Sequence, residues 1–184
     1  ATHRWHALLH DIGKVAANQP SPEGPWRTFH GHDAVGAAMI SAIAARLRLS
    51  SQLAQSLEVV TRLHMVPLQV ANAGAITPRT IRCFQAKAGP HLRDLEVLCR
   101  ADAGDRAREG MEELFRPLPA AQVEPVLKGR HLLERGYRHA DKPSSEGEVH
   151  FKRALDVAYQ HQLDTGETDI DVLASVALAS PGAA

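Results

Sequence analysis

Aromatic residues are scarce in this chain, at 4% of its 184 residues, so its core must rest on leucine, valine, isoleucine and alanine. Cysteine is rarer still: Cys83 and Cys99 stand alone, in no CxxC pair. Free buried thiols in a reducing compartment are the expectation, rather than a disulfide. Net charge is absent too, with 21 basic and 21 acidic residues and no block of lysines and arginines. Binding nucleic acid by charge alone is thereby disfavoured, although one locally positive pocket would still accept a nucleotide or a nucleic-acid end. No run approaches the roughly 20 apolar residues of a membrane span. No secretory signal is visible either, so a cytoplasmic location without a membrane partner is expected. No internal repeat, low-complexity tract or persistent strand-like alternation occurs.

What the chain does contain is an ordinary globular composition, 44% hydrophobic and 23% charged, with 11 histidines. Helical periodicity dominates it. The spacing predicts a short helix over 3–12, with Trp5, Leu8, Leu9 and Ile12 on one face and Gly13 as its stop. Residues 18–29 carry three prolines and a glycine and read as a loop. A second helix is predicted over 31–48, with Val35, Met39, Ile43 and Leu47 as its stripe. A third, over 51–65, opens on Ser50 or Ser51, buries Leu53, Leu57 and Val60, and ends at Pro67. Thr77 and Pro78 open a fourth helix. A fifth, over 91–107, carries Leu92, Leu95 and Cys99. Shorter helices are expected at 129–136, 148–163 and 168–179, with a loop at 139–147. The fold class read from this pattern is all-α: a main helical bundle at 1–115 and a C-terminal helical extension at 116–184.

Three of these apolar stripes end on residues that seek metals. The third helix continues at helical spacing from Val60 to His64, and the fifth from Cys99 to Asp102. His32 precedes Val35 on the second. In the first helix, His10 and Asp11 lie roughly opposite the leucines, with His6 one turn before His10. An ionised aspartate on a buried stripe is costly without compensation. Histidine hydrogen bonds offer some, and a divalent cation with neutral imidazole co-ligands offers more. A nitrogen and carboxylate ligand set without thiolate suits Mn, Fe, Ni, Co or Zn, or Mg with water in its shell.

The segments LLHDIGK, FHGHDAVGA, RLH and RADAGDR, taken in order, resemble the HD-domain phosphohydrolase superfamily. Together with the tail segments GRHLLERGY and ALDVAYQHQLDTGE, they look most like the HD domain and C-terminal tail of bacterial tRNA nucleotidyltransferases, the CCA-adding enzymes, and poly(A)-polymerase-like relatives. The resemblance implies a metal held by His10, Asp11 and the distant Asp102, with His32 and His64 as the histidines that two-metal members add. It implies Asp11 as a catalytic residue bridging metal and water, and Lys14 as a catalytic or phosphate-contacting group. Arg79, Arg82 and Arg106 are candidates to supply positive charge, with Arg79 and Arg106 proposed to bind substrate. The family's first histidine lies upstream of the HD pair, outside this sequence, and His6 is the nearest substitute. The nucleotidyltransferase head is also outside it, so CCA addition by these residues alone is not expected.

The activity implied is a metal-dependent phosphomonoesterase or 2′,3′-cyclic phosphodiesterase acting on nucleotides or RNA ends. The alternative is a catalytically inactive helical module that serves tRNA binding or dimerisation within a larger CCA-adding enzyme.

Overall fold

The computed structural model describes residues 2–104, 110–137 and 144–179, and it divides the chain into two compact units. The first comprises Ala1–Ile76 and Lys87–Arg116, the second Thr77–Ala86 and Pro117–Ala184. Apart from one two-stranded ribbon, the regular structure of the described residues is helical. No helix among them is long and apolar enough to cross a membrane.

The first unit begins with α1 (Thr2–Leu9), which ends earlier than its apolar spacing suggests. Asp11 sits at the head of a separate 3₁₀ turn, Ile12–Lys14. The break has a consequence for the stripe: Leu9 is buried at 6% exposure, whereas Leu8 stands out at 68%. The expected loop then carries a small antiparallel ribbon, β1 (Gln19–Pro20) paired with β2 (Arg27–Thr28), which the sequence pattern did not suggest. It leads into α2 (His32–Arg46), started by Gly31 at φ +74°. That left-handed conformation suits glycine, which has no Cβ to clash.

The buried face of α2 differs from the predicted one. Gly36, Ala37, Ile40 and Ala44 face inward, while Val35 and Leu47 are exposed. Close approach explains the difference. A Cβ on Gly36 would lie 3.0 Å from the Thr61 side chain and 3.1 Å from the Gly13 nitrogen. A Cβ on Gly13 would lie 2.0 Å from the His32 carbonyl oxygen. The larger residues of α2 would hold these backbones apart, so the small ones turn inward.

Beside α2 packs α3 (Ser51–Leu63), capped by Ser50, whose Oγ accepts from the Leu53 amide at 3.2 Å. Leu9, Ile40 and Leu57 form the core between α1, α2 and α3. Each such side chain contributes about 1.5–3 kcal/mol when fully buried. Pro67 does not merely end α3 but opens a further helix, α4 (Val66–Asn72), from its first turn. There proline's missing N–H leaves no helical bond unmade. After α5 (Pro78–Ala88), most of which belongs to the second unit, α6 (Leu92–Ala103) returns to the first. It buries Leu95, Leu98 and Cys99. The expected continuation of α6 to residue 107, and with it Arg106, lies outside the described residues.

In the second unit, α5 is capped as expected by Thr77, whose Oγ1 accepts from the Thr80 amide at 3.1 Å. Arg82 anchors it there, donating to the backbone oxygens of Leu163 and Asp164 at 2.7 and 2.9 Å. The short α7 (Ala120–Val123) and α8 (Gly129–Glu134) precede α9 (Ser144–Thr165) and α10 (Ile170–Leu178). Leu132, Ala154, Ala158, Leu173 and Ala177 make its core. Part of the loop predicted at 139–147 lies outside the described residues, and from Ser144 the chain is already helical.

Candidate metal centre

Five side chains from four segments of the first unit meet at one point, with Asp11 at its centre. Asp11 Oδ1 lies 3.1 Å from His32 Nε2 and 3.7 Å from His64 Nε2. On the other side, Asp11 Oδ2 lies 3.3 Å from His10 Nε2. His10 Nε2 is in turn 3.6 Å from Asp102 Oδ1. Asp11, His32 and His64 each offer a ligand atom within 4.8 Å of the others, close enough to share a metal ion.

Local structure aims each histidine. His10 is held at the end of α1, where its Nδ1 bonds the Ala7 carbonyl at 3.0 Å. His32 Nδ1 bonds the Phe29 carbonyl at 2.8 Å. His64 Nδ1 bonds the Thr61 carbonyl at 2.6 Å. A carbonyl oxygen only accepts, so all three Nδ1 atoms carry the proton. A neutral ring then presents Nε2 as a lone pair, the usual arrangement of a metal-binding histidine with a backbone partner behind it.

The consequence is an electrostatic conflict at the centre. His32 Nε2 and His64 Nε2 are 3.2 Å apart, and with Nδ1 protonated both are acceptors. His10 Nε2 is buried and makes no hydrogen bond. Lone pairs and carboxylate oxygens facing one another need a positive species between them, either a proton or a cation. Burial lowers the His64 pKa below its ordinary 6.5, and the charges of His10 and His32 push the same way. The proton is thus disfavoured and the donor set fits a divalent cation. Asp11 also stays ionised: burial alone would raise its pKa, but the Lys14 hydrogen bond and the charges of His10, Lys14 and His32 outweigh it.

Lys14 follows the turn and donates from Nζ to Asp11 Oδ2 at 2.5 Å. Cys99 is no ligand. Burial pushes its thiol up to about 12, and Sγ donates to the His64 carbonyl at 3.3 Å, fixing the backbone behind that ring. Cys83 is also a free thiol.

His6 does not join the cluster. Its Nε2 lies 3.0 Å from Ser56 Oγ, which donates onward to Asp94 Oδ2 at 3.3 Å. The expected alignment of His6 with His10 fails because α1 ends at Leu9 and α3 offers His6 an oxygen instead. Arg79 belongs to the second unit, where Nε donates to Asp164 Oδ1 at 2.8 Å.

A pocket of about 250 Å³ opens onto this cluster. Asp11, Lys14, His32 and Asp102 line it, as the sequence pattern suggests. Phe29, His30, Met65 and Gln69 line it too. The signal for Gln69 was present but hidden: read as a stop, Pro67 conceals the helix on which Met65 and Gln69 sit one turn apart.

The pKa shifts yield a prediction for the metal-free protein. His6 and His64 both titrate below 6.5 in the fold because of burial, whereas the unfolded chain binds their protons near 6.5. Below that pH the unfolded state binds more protons, so stability is full above it and declines on acidification. The depressed Asp11 loses its contribution only at pH values below its ordinary 3.8. The melting temperature of chelator-treated protein should therefore fall between pH 7.5 and 5.5. A flat or rising profile over that window would contradict the assignment of both rings as neutral.

These features define a class first: a helical domain that carries histidine and aspartate side chains to a point able to hold a cation. The comparisons then supply the family. The model described as "HD domain" matches residues 2–107, and the chain belongs to that family. Among curated relatives, an A-adding tRNA nucleotidyltransferase of Deinococcus radiodurans is 34% identical over 124 residues, covering 67% of this chain and 27% of that protein. The multifunctional CCA protein of Ralstonia nicotianae is 30% identical over 160 residues, covering 84% of this chain and 34% of that protein. That of Legionella pneumophila strain Lens is 31% identical over 105 residues, 54% of this chain and 24% of its own. The chain thus spans about a quarter to a third of the relatives it matches. No solved structure matches it.

Proposed function

We propose that this chain is a metal-dependent phosphohydrolase, a phosphomonoesterase or 2′,3′-cyclic phosphodiesterase acting on nucleotides or RNA ends. The observation that carries the reading is the set of inward lone pairs: His32 and His64 Nε2 facing each other at 3.2 Å beside the Asp11 carboxylate. His10, Asp11, His32, His64 and Asp102 are the residues that would hold the ion. A bound divalent cation supplies charge to polarise a phosphoryl oxygen and to activate a water at neutral pH. Mn, Fe, Ni, Co, Zn and Mg all fit a donor set of nitrogen and oxygen.

The protein's own groups do the rest. Asp11, ionised and partly open to the pocket, accepts a hydrogen bond from an attacking water and orients it. Lys14 donates from Nζ to Asp11 and can turn toward a phosphate oxygen. The convergence of four chain segments fixes these groups before substrate arrives, which lowers the cost of positioning. The name of the Deinococcus radiodurans relative connects that protein to tRNA, which supports an RNA end as the phosphate ester in question.

The test is turnover of p-nitrophenyl phosphate and 2′,3′-cyclic AMP by purified protein with Mn, Ni, Co or Mg, repeated for Asp102→Ala. Hydrolysis that needs metal and drops at least about 100-fold in the variant is expected. Folded, metal-loaded protein that hydrolyses neither compound with any of the four ions would overturn the reading and leave a helical binding module.

A further inference from the structure

We propose that Phe29, Met65 and Gln69 form a nucleobase subsite in the pocket beside the metal centre, with adenine the base they suit. The inference rests on the phosphate-ester reading above and concerns the rest of the ligand.

A phosphate needs only charge and donors, and Lys14 with a cation would supply both. Beside the polar His30 and Asp33, part of the remaining lining has a different chemistry. Met65 contributes a thioether and Phe29 belongs to the loop entering α2. Gln69 follows Met65 by one helical turn, its amide nitrogen bonded to the Met65 carbonyl at 3.0 Å. Residues so spaced share a helix face, and both line the pocket. Met65 is half-buried and Gln69 exposed, so ligand can reach both.

An aromatic ring and a polarisable sulfur gain nothing against a phosphate, but both pack well on a flat π-surface. A glutamine amide offers one donor and one acceptor side by side, which matches the acceptor and donor on an edge of adenine. Size agrees. At about 250 Å³ the pocket lies just under the ~300–1,000 Å³ of sites that bury drug-sized ligands, room for a base beside a phosphate and too little for a length of duplex.

Calorimetric titration of the full chain with Mn²⁺ present decides the matter, using AMP and ribose 5-phosphate as probes, each supplied as its phosphonate analogue so that a phosphomonoesterase cannot turn it over. They share sugar and phosphate and differ by the base. Wild-type protein should bind AMP about tenfold tighter than ribose 5-phosphate, the scale of a single stacked base. Met65→Ala and Gln69→Ala should each lose most of that advantage by weakening AMP while ribose 5-phosphate binds as before. Circular dichroism checks that both variants fold. Equal wild-type affinity for the two probes, equal weakening of both by the variants, or no AMP binding would each overturn the subsite. The hydrolase reading stands or falls separately: wild-type protein that prefers AMP but turns over no phosphate ester keeps the subsite and loses the activity.

Discussion

Replacing Asp11 with alanine should abolish both metal binding and phosphate-ester turnover. Its carboxylate is shared by both halves of the cluster, with Oδ1 toward His32 and His64 and Oδ2 toward His10 and Lys14. Loss of a peripheral ligand leaves the others a reduced site, whereas loss of Asp11 removes the carboxylate that faces His32 and His64. We expect turnover to fall by at least about 10³-fold, in the range seen when a group acting in the transition state is deleted. Metal affinity should drop with it. Asp11→Asn separates charge from shape, since the amide keeps the volume and loses the negative charge, and it should fail nearly as badly. Both variants should remain folded, because the Asp11 side chain is a third exposed. Turnover within tenfold of wild type in Asp11→Asn would show that the carboxylate charge is not what the chemistry uses.

The second large effect is expected at a residue with no reactive group. Gly13→Ala places a methyl about 2.0 Å from the His32 carbonyl oxygen and 2.5 Å from the Gly36 nitrogen. Both obstacles are backbone, so no side chain can rotate away. Either the Ile12–Lys14 turn or the start of α2 must move, and these are the segments that carry Asp11 and His32. Overpacking of this kind costs about 1–3 kcal/mol and sometimes more, and here the upper end is expected. Chemical denaturation should show a loss of about 3 kcal/mol or more, and the metal should bind more weakly in whatever folds. An alanine variant as stable as wild type would mean that the two backbones do not pack as closely as 2.0 Å implies.

Gly13 also shows how far the sequence could be read. Read locally it is a helix stop, but α1 has already ended at Leu9 and Gly13 lies inside the Ile12–Lys14 turn; its main duty is long-range: it lets the HD turn lie against α2, a contact that no local pattern encodes. The same contact shifted the buried face of α2 away from the predicted one. Val35, Met39, Ile43 and Leu47 form a regular hydrophobic stripe, yet Gly36, Ala37, Ile40 and Ala44 are the buried face, because close backbone packing there selects small residues over hydrophobic ones. The ligand-type residues were easier to see. His64 and Asp102 continue apolar stripes, and a polar group on a buried face stands out against the cost of burying it. His6 misled for the opposite reason. Helical spacing placed it with His10, and only the fold reveals Ser56 waiting 3.0 Å away. Pro67 was read by its commonest effect, and its other use, opening a helix, hid Gln69.

The central claim is that His32, His64 and Asp11 close around a divalent cation. Calorimetric titration of metal-free protein with Mn²⁺ or Co²⁺ at pH 7.5 tests it most directly, with His64→Ala as the comparison. Saturable binding to wild type, weakened at least about tenfold in His64→Ala, is the predicted result. No saturable heat from wild-type protein with either ion, or identical isotherms for the two proteins, would contradict it.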